Sequence, residues 1–320
     1  MDAQSYIRLG TFACLVPLWA ACAEGSSADP PLYSGGAGQP AAMSGGAGAS
    51  GSSGTPAAGT GGTGGGAGMA QTGAAGSAGN LAGLAIVPRF SFFVTSQAAM
   101  KRLSGSELGF GGDLRFGKPN GLAGADEICR QIAEHSLQGS GAKGWRAFLS
   151  VTQDASGKAV HARDRIGAGP WYDRNGRIVA ANLSDLVQRR PIGADPMIAD
   201  DLPNEDGVPN RAPMGTQVEN HRVLTGTGAD GRLYNYSASS TCRDWTSAVG
   251  ADGRPRVGHS WVRVSTGGVP AGSTSHWISA IDEAGCAPGG SSGFGGTDPG
   301  SPTVGSGGGY GGIYCFALMP

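Results

Sequence analysis

The sequence predicts an α+β domain, rich in loops and stapled by two disulfides, that follows a disordered Gly-rich linker. Three observations predict this fold class. Glycine contributes 60 of the 320 residues, far above the roughly 7% of an average protein, and a charge-free low-complexity segment precedes the domain. The later part of the chain has one helical pattern among several short strand patterns. It also holds four cysteines, an even number that in an exported chain indicates two disulfides.

The N-terminus predicts export. Residues 1–21 have one early cation, Arg8, and an apolar run from Thr11 that is too short to span a bilayer, as in a signal peptide. The residues before Cys22 resemble a bacterial lipobox, in which this cysteine receives the lipid, although Trp19 stands where Leu, Val or Ile is usual. Ordinary signal-peptidase cleavage is the alternative. We expect an outer-membrane or cell-surface lipoprotein, with its domain extracellular or periplasmic and the lipid anchor at Cys22 as its membrane contact.

A tether is predicted over residues 22–86. Between Asp29 and Arg89 the chain has no charged residue and consists mainly of Gly, Ala, Ser and Thr, so it cannot bury enough apolar surface to offset its ordering entropy. A flexible chain of about 55 residues has a reach on the order of 40 Å, which lifts a domain clear of a membrane. The globular domain is therefore predicted over residues 87–320.

The overall charge argues against nucleic acid as a partner. The net charge is −1 and the estimated pI is near 6.5. A nucleic-acid-binding domain is expected to carry a basic footprint, and none is present.

Local patterns predict the elements of the domain in order. Residues 91–96 are aromatic and β-branched, which predicts an opening strand. Residues 121–135 carry apolar side chains at three- and four-residue spacing, which predicts an amphipathic helix with Cys129 on its buried face. Residues 145–151 predict a second strand, and Asn175-Gly176 predicts a turn between two apolar pairs.

The rest of the domain is predicted to contain few regular elements. Ser184 is expected to start a short helix, and residues 195–220 are polar, acidic and broken by proline, which predicts a loop. Short strands are predicted at residues 233–236, 261–264 and 313–318, separated by Gly/Ser loops.

The four cysteines of the mature domain leave their pairing open. Four cysteines can form two disulfides in three different pairings, and the spacing of the cysteines does not determine which pairing is present. Zinc is the competing use, but no two of these cysteines are close in sequence and the five histidines form no closely spaced pair. The cysteines are Cys129, Cys242, Cys286 and Cys315.

Successive segments of the domain resemble the endostatin domain of collagens XV and XVIII. They occur in the same order, and the closing segment also resembles the last strand of C-type-lectin-like domains in general. Similar bacterial lipoproteins open with a Phe-Val-Thr-Ser segment and a Gly-Leu-Ala-Gly-Ala-Asp helix, matched here by residues 93–96 and 121–126. The matching segments are Gly144–Ser150, Ala181–Leu186, Thr225–Leu233, Cys242–Thr246 and Ile313–Phe316.

This resemblance spans about Phe92 to Leu318 and implies a C-type-lectin-like fold. It implies two nested disulfides, Cys129 to Cys315 and Cys242 to Cys286, of which the outer one ties the first helix to the last strand. It also implies that Trp245 belongs to the core.

Departures from the family pattern limit what the resemblance implies about metals. The zinc-binding histidines of endostatin have no counterpart near Arg89 to Thr95, and the calcium motifs of C-type lectins are kept only as Pro203-Asn204. The acidic loop around them still offers hard oxygen ligands of the kind that calcium prefers. A solvated surface loop is the favoured interpretation over a calcium site. The calcium candidates are Asp201, Asn204, Glu205 and Asp206.

Four aromatic residues beside glycine-rich or polar segments are the candidate ligand contacts. Their rings could stack on sugars or on a protein partner, while core packing is the alternative. They are Trp171, Tyr172, Trp261 and Trp277.

These observations predict a non-catalytic, surface-exposed binding or adhesion module. Its expected partner is an extracellular glycan or a matrix-like protein, with no cofactor. One alternative is a calcium-dependent lectin. The other is a secreted hydrolase, for which His259 and His276 are isolated in sequence and have no assigned base or orienting acid.

Overall fold

The sheet of this protein is built around its last strand. The structure, a computed structural model, describes residues 89–210, 220–262, 276–290 and 301–319. In these residues the strands are β1 (Phe92–Val94), β2 (Trp145–Ala147), β3 (Trp171–Tyr172), β4 (Ile178–Ala180), β5 (Arg222–Leu224), β6 (Arg256–His259), β7 (Ile281–Asp282) and β8 (Gly309–Ala317). The α-helices are α1 (Gln97–Ser104), α2 (Gly121–Ser136) and α3 (Leu183–Leu186), and short 3-10 helices cover Ser140–Lys143, Ala162–Asp164, Ala238–Thr241 and Gly250–Asp252.

Strand β8 pairs with strands from the beginning and the middle of the described domain. It pairs antiparallel with β1 and β2, and it pairs parallel with β5. Strands β6 and β7 continue the sheet beyond β5 in antiparallel pairs, and β3 and β4 form a separate hairpin.

Both faces of the sheet are buried, as the side chains of β8 show. All nine of its residues are buried. Successive side chains of a strand point to opposite faces, and here Ile313 and Cys315 belong to one hydrophobic cluster while Tyr314 and Phe316 belong to the other. The protein therefore has two apolar layers with the sheet between them.

Helix α2 covers one of these faces. Its N-cap is Asn120, whose side chain accepts a hydrogen bond from the amide of Ala123 at 2.8 Å. On its buried face Cys129 forms a disulfide with Cys315 of β8, with Cα atoms 5.5 Å apart. The apolar stripe that the sequence predicts is thus the stripe that packs on the sheet.

Several predicted elements are confirmed, and one is wrong. The opening strand, helix α2, the Asn-Gly hairpin, the short helix α3 and the last strand are present. The strand predicted at residues 145–151 ends at Ala147. Residues 233–236 form no strand, because Leu233 makes only an isolated bridge with Thr227. Helix α1 was not predicted.

The mixed α+β class and the two disulfides are confirmed. The second disulfide joins Cys242 to Cys286, so both pairs are those that the resemblance implies. The predicted signal peptide (1–21), lipidation site (Cys22) and tether (22–86) lie outside the described residues. Among the helices of the described ranges, none combines the length and the apolar character needed to cross a bilayer.

Candidate functional site

Two of the four aromatic candidates are core residues. Trp171 is 1% exposed and packs edge-on against Phe316 at 5.5 Å between ring centroids, and Trp277 is 0% exposed in the same cluster. The prediction that these two rings contact a ligand is wrong, because neither presents a face to solvent. Tyr172 and Trp261 remain partly exposed, on different elements of the fold.

The side chains of the acidic loop at residues 201–206 do not form a cluster that could hold a metal ion. Glu205 is 4% exposed, and its carboxylate accepts hydrogen bonds from the amide and hydroxyl of Ser96, the N-cap residue of helix α1. Burial raises the pKa of Glu205. Asn204 accepts a bond from the amide of Asp206. In the described part of the chain no three acidic, histidine or cysteine side chains are placed to hold a metal ion, so the calcium candidates, which include Asp201, do not form a site there.

Three of the five histidines, His221, His259 and His276, lie near β5 and β6. The rings of His221 and His259 stack with centroids 4.2 Å apart. Nδ1 of His259 accepts a bond from the Trp261 amide, and Nδ1 of His276 accepts one from the Ile278 amide. Burial lowers the pKa of His221 to about 2 and that of His276 to about 4. Both are therefore neutral near pH 7.

The strained backbone of the protein is concentrated in one segment. Residues Cys242–Trp245 have φ values of 47°, 56°, 57° and 63°, and we call this segment the left-handed turn. The left-handed conformation costs about 1–2 kcal/mol for each residue with a Cβ atom. Such strain persists only where surrounding contacts impose it, and it clusters at binding and catalytic sites.

Three sets of contacts hold the left-handed turn in place. Cys242, its first residue, is bonded to Cys286. The Asp244 carboxylate accepts bonds from the Thr152 amide at 2.6 Å and the Thr152 hydroxyl at 2.7 Å. Trp245 is fully buried and its indole N–H donates to the Ser150 carbonyl at 2.9 Å. The turn is thereby locked against the loop that follows β2.

Helix α2 approaches neighbouring backbone at two glycines, the left-handed turn at Gly121 and residues 114–115 at Gly124. A Cβ atom at Gly121 would lie 2.4 Å from the Trp245 Cβ, and one at Gly124 would lie 2.0 Å from the Leu114 carbonyl oxygen. Real Cβ atoms essentially never come closer than 3.0 Å to such neighbours. The Gly-x-x-Gly spacing therefore allows the first turn of α2 to contact this backbone directly.

The left-handed turn, the start of α2 and the loop after β2 enclose a pocket of about 480 Å³. This volume falls within the range of small-molecule sites. Its lining mixes apolar surface with amide, hydroxyl and carboxylate groups, which suits a ligand that carries both C–H faces and hydroxyls. The lining residues are Pro119, Asn120, Gly121, Leu122, Val151, Gln153, Asp154, Ala155, Arg243, Asp244 and Thr246.

The charged groups of the pocket already have partners. Arg243 pairs with Asp252 at 3.0 Å. Asp154 accepts bonds from the hydroxyl and amide of Ser156, and the hydroxyl bond is the main cause of its lowered pKa. The Asp244 carboxylate accepts hydrogen bonds from the amide and hydroxyl of Thr152, the amide of Gln153 and the hydroxyl of Thr241. The side chain of Gln153 is exposed at the rim.

The chain matches no known family model and no curated protein. The interpretation of the pocket therefore depends on its own geometry.

Most of this pocket was missed from the sequence. Asn and Gly are the usual residues of left-handed backbone, and Cys242-Arg243-Asp244-Trp245 contains neither. The useful signal was the pair Gly121 and Gly124 in a predicted helix, because helical glycines spaced in this way indicate close approach of another backbone.

Proposed function

We propose that this protein is an exported, non-catalytic binding or adhesion module of the endostatin branch of the C-type-lectin-like fold. Its ligand is extracellular polysaccharide or matrix-like material. The resemblance supports the fold, and so does the agreement between its implied bridges and the disulfides Cys129–Cys315 and Cys242–Cys286. The anchored, tethered arrangement predicted for residues 1–86 supports a surface role.

The observation that carries the proposal is the pocket beside the left-handed turn. Arg243 and Asp244, the two central residues of the left-handed turn, form part of one wall, and evolution rarely retains such backbone without a positional requirement. The wall and the loop after β2 present amide and hydroxyl groups above apolar surface from Leu122 and Val151. Sugars offer the matching combination of hydroxyl groups and C–H faces.

The test is a glycan and matrix-protein array probed with the full-length protein. Ala155 is exposed at the pocket rim, so Ala155→Trp fills the opening; Ala181 is also exposed but lies outside the lining, so Ala181→Trp is the matched control. We expect the wild type and Ala181→Trp to bind the same ligand, and Ala155→Trp to lose at least about tenfold in affinity, equal to about 1.4 kcal/mol. An array on which the wild type binds nothing contradicts the proposal.

Two further arms address the alternatives. Binding that disappears in EDTA and is unchanged in Ala155→Trp contradicts the pocket and favours a calcium-dependent lectin at residues 201–206. Mass spectrometry of the recovered glycan is expected to show it intact. Shortened glycan would contradict the non-catalytic role.

A further inference from the structure

A second depression lies beside the pocket. It is shallower, with a volume of about 620 Å³, and its aromatic surface comes from Phe110 and Phe116, whose rings meet edge to face at 5.5 Å. Both rings are half-buried. The lining residues are Ser104, Gly109, Phe110, Asp113, Arg115, Phe116, Gly117, Lys118 and Ala248.

The two depressions adjoin along two chain segments. Residues 117–118 line the second depression and residues 119–120 line the pocket. On the opposite side Ala248 belongs to the second depression and Thr246 to the pocket, and a bridge between Asp113 and Thr246 joins the two linings. The two depressions therefore lie side by side, and we call them together the groove.

Backbone strain marks the groove as a whole. Phe116 has a φ of 45°, and in the described ranges the other non-glycine residues with positive φ are Cys242–Trp245. A bulky residue in left-handed backbone is an outlier. Gly117, the next residue, adopts a φ of 74° without this cost because it has no Cβ atom. The strain at this point of the chain therefore belongs to the backbone of Phe116.

The formal charges of the groove lining cancel, because Asp113, Asp154 and Asp244 are matched in number by Arg115, Lys118 and Arg243. Asp113 accepts two side-chain bonds from Arg115, at 2.9 Å and 2.5 Å, which neutralise both groups. Arg243 is paired with Asp252 at 3.0 Å. Lys118 stands close enough to Glu127 to lower the pKa of that carboxyl group, alongside the main effect of the Arg130 hydrogen bond. A polymer of one charge sign would therefore meet repulsion as well as attraction along the lining, which favours an uncharged ligand.

We propose that the groove binds several consecutive units of a linear, uncharged polysaccharide, with one unit in the pocket and a neighbouring unit stacked on Phe116. This inference rests on the proposed function and deepens it by naming the ligand class. Internal stretches of a chain, rather than chain ends alone, are then recognised, because the second depression is open.

The experiment measures the affinity of the full-length protein for labelled sugars of the β-1,4-glucan, β-1,3-glucan, α-1,4-glucan and chitin series, from one to six units. For the series that binds, affinity is expected to rise at least about tenfold between one and six units and to change less than about twofold between 50 and 500 mM salt. Phe116→Asn keeps a residue that tolerates left-handed backbone but removes the ring. It should weaken dimer and hexamer binding about tenfold and leave the binding of a single unit unchanged, while Phe116→Tyr retains wild-type affinity.

The outcomes separate the two proposals. If affinity is independent of length and Phe116→Asn binds as the wild type does, while Ala155→Trp still abolishes binding, the groove is wrong and the pocket stands. Affinity that falls steeply with salt also overturns the groove, because it indicates a charged polymer. If no oligomer and no arrayed glycan or matrix protein binds, the proposed function itself fails.

Discussion

Replacing Gly124 with alanine should destabilise the protein, although the same change in most helices is stabilising. In an open helix position alanine is favoured over glycine by about 1 kcal/mol. Here the added Cβ atom would stand 2.0 Å from the Leu114 carbonyl oxygen and 2.1 Å from that of Arg115. Since real Cβ atoms stay beyond 3.0 Å, the helix and the facing backbone must separate by at least 3.0 − 2.0 = 1.0 Å.

That separation is opposed on both sides. Leu114 is fully buried, and its amide donates to the Trp245 carbonyl at 3.0 Å, so moving it disturbs the left-handed turn. Helix α2 is fixed to β8 through Cys129. Overpacking against rigid surroundings costs up to about 3 kcal/mol, and subtracting the helix propensity leaves a net loss of about 2 kcal/mol.

Equilibrium denaturation with guanidinium chloride, disulfides intact, measures this change. The matched control is His135→Ala, at an exposed position of the same helix, which should alter the free energy of unfolding by less than about 0.5 kcal/mol. A Gly124→Ala variant as stable as the wild type, or more stable, would refute the close approach of α2 to residues 114–115.

Three further predictions concern the core. Replacing Cys129 and Cys315 together with alanine opens a link between residues 186 positions apart and should lower the free energy of unfolding by about 5 kcal/mol in the chain-entropy model, measured against the oxidised wild type; a loss below 1 kcal/mol contradicts it. Asp126 accepts two bonds from Arg165, at 2.9 and 2.8 Å, so Asp126→Ala removes the carboxylate partner of a largely buried guanidinium, which keeps its bond to the Ala147 carbonyl, and should cost about 3 kcal/mol; an unchanged denaturation midpoint would count against this pair. Burial lowers the pKa of His221 to about 2, so below the ordinary histidine pKa of about 6.5 the unfolded state takes up a proton and the folded state does not. The free energy of unfolding should therefore decrease as the pH is lowered, by up to about 1.4 kcal/mol per pH unit. His221→Gln should flatten this slope between pH 6 and 4, and an unchanged slope contradicts the burial.

The elements with clear local signals were predictable from the sequence. Helix α2 has an apolar stripe with Cys129 at its centre, and the hairpin has an Asn-Gly turn between apolar pairs. The disulfide pairing was not derivable from spacing, and it came from the resemblance. These features depend on residues near each other in the chain or on a family pattern, and such information is present in one sequence.

The site depended on contacts between distant segments. The left-handed turn is imposed by Asp244 bonding to residues 152–153 and by Trp245 burying beneath α2, and neither contact leaves a local pattern. Burial of tryptophan was misjudged for the same reason. Trp277 follows the small and polar residues 271–276 in sequence, yet in space it packs on Phe148 and Tyr314.

Nuclear magnetic resonance mapping of the bound ligand tests the location of the binding site most directly. Amide shifts of the full-length protein would be followed during titration with the glycan that binds most tightly on the array. The proposal predicts that the perturbed amides cluster at residues 116–122, 151–155 and 243–246. Perturbations confined to other surfaces, such as the acidic loop at residues 201–206, with these three segments unmoved, would contradict it.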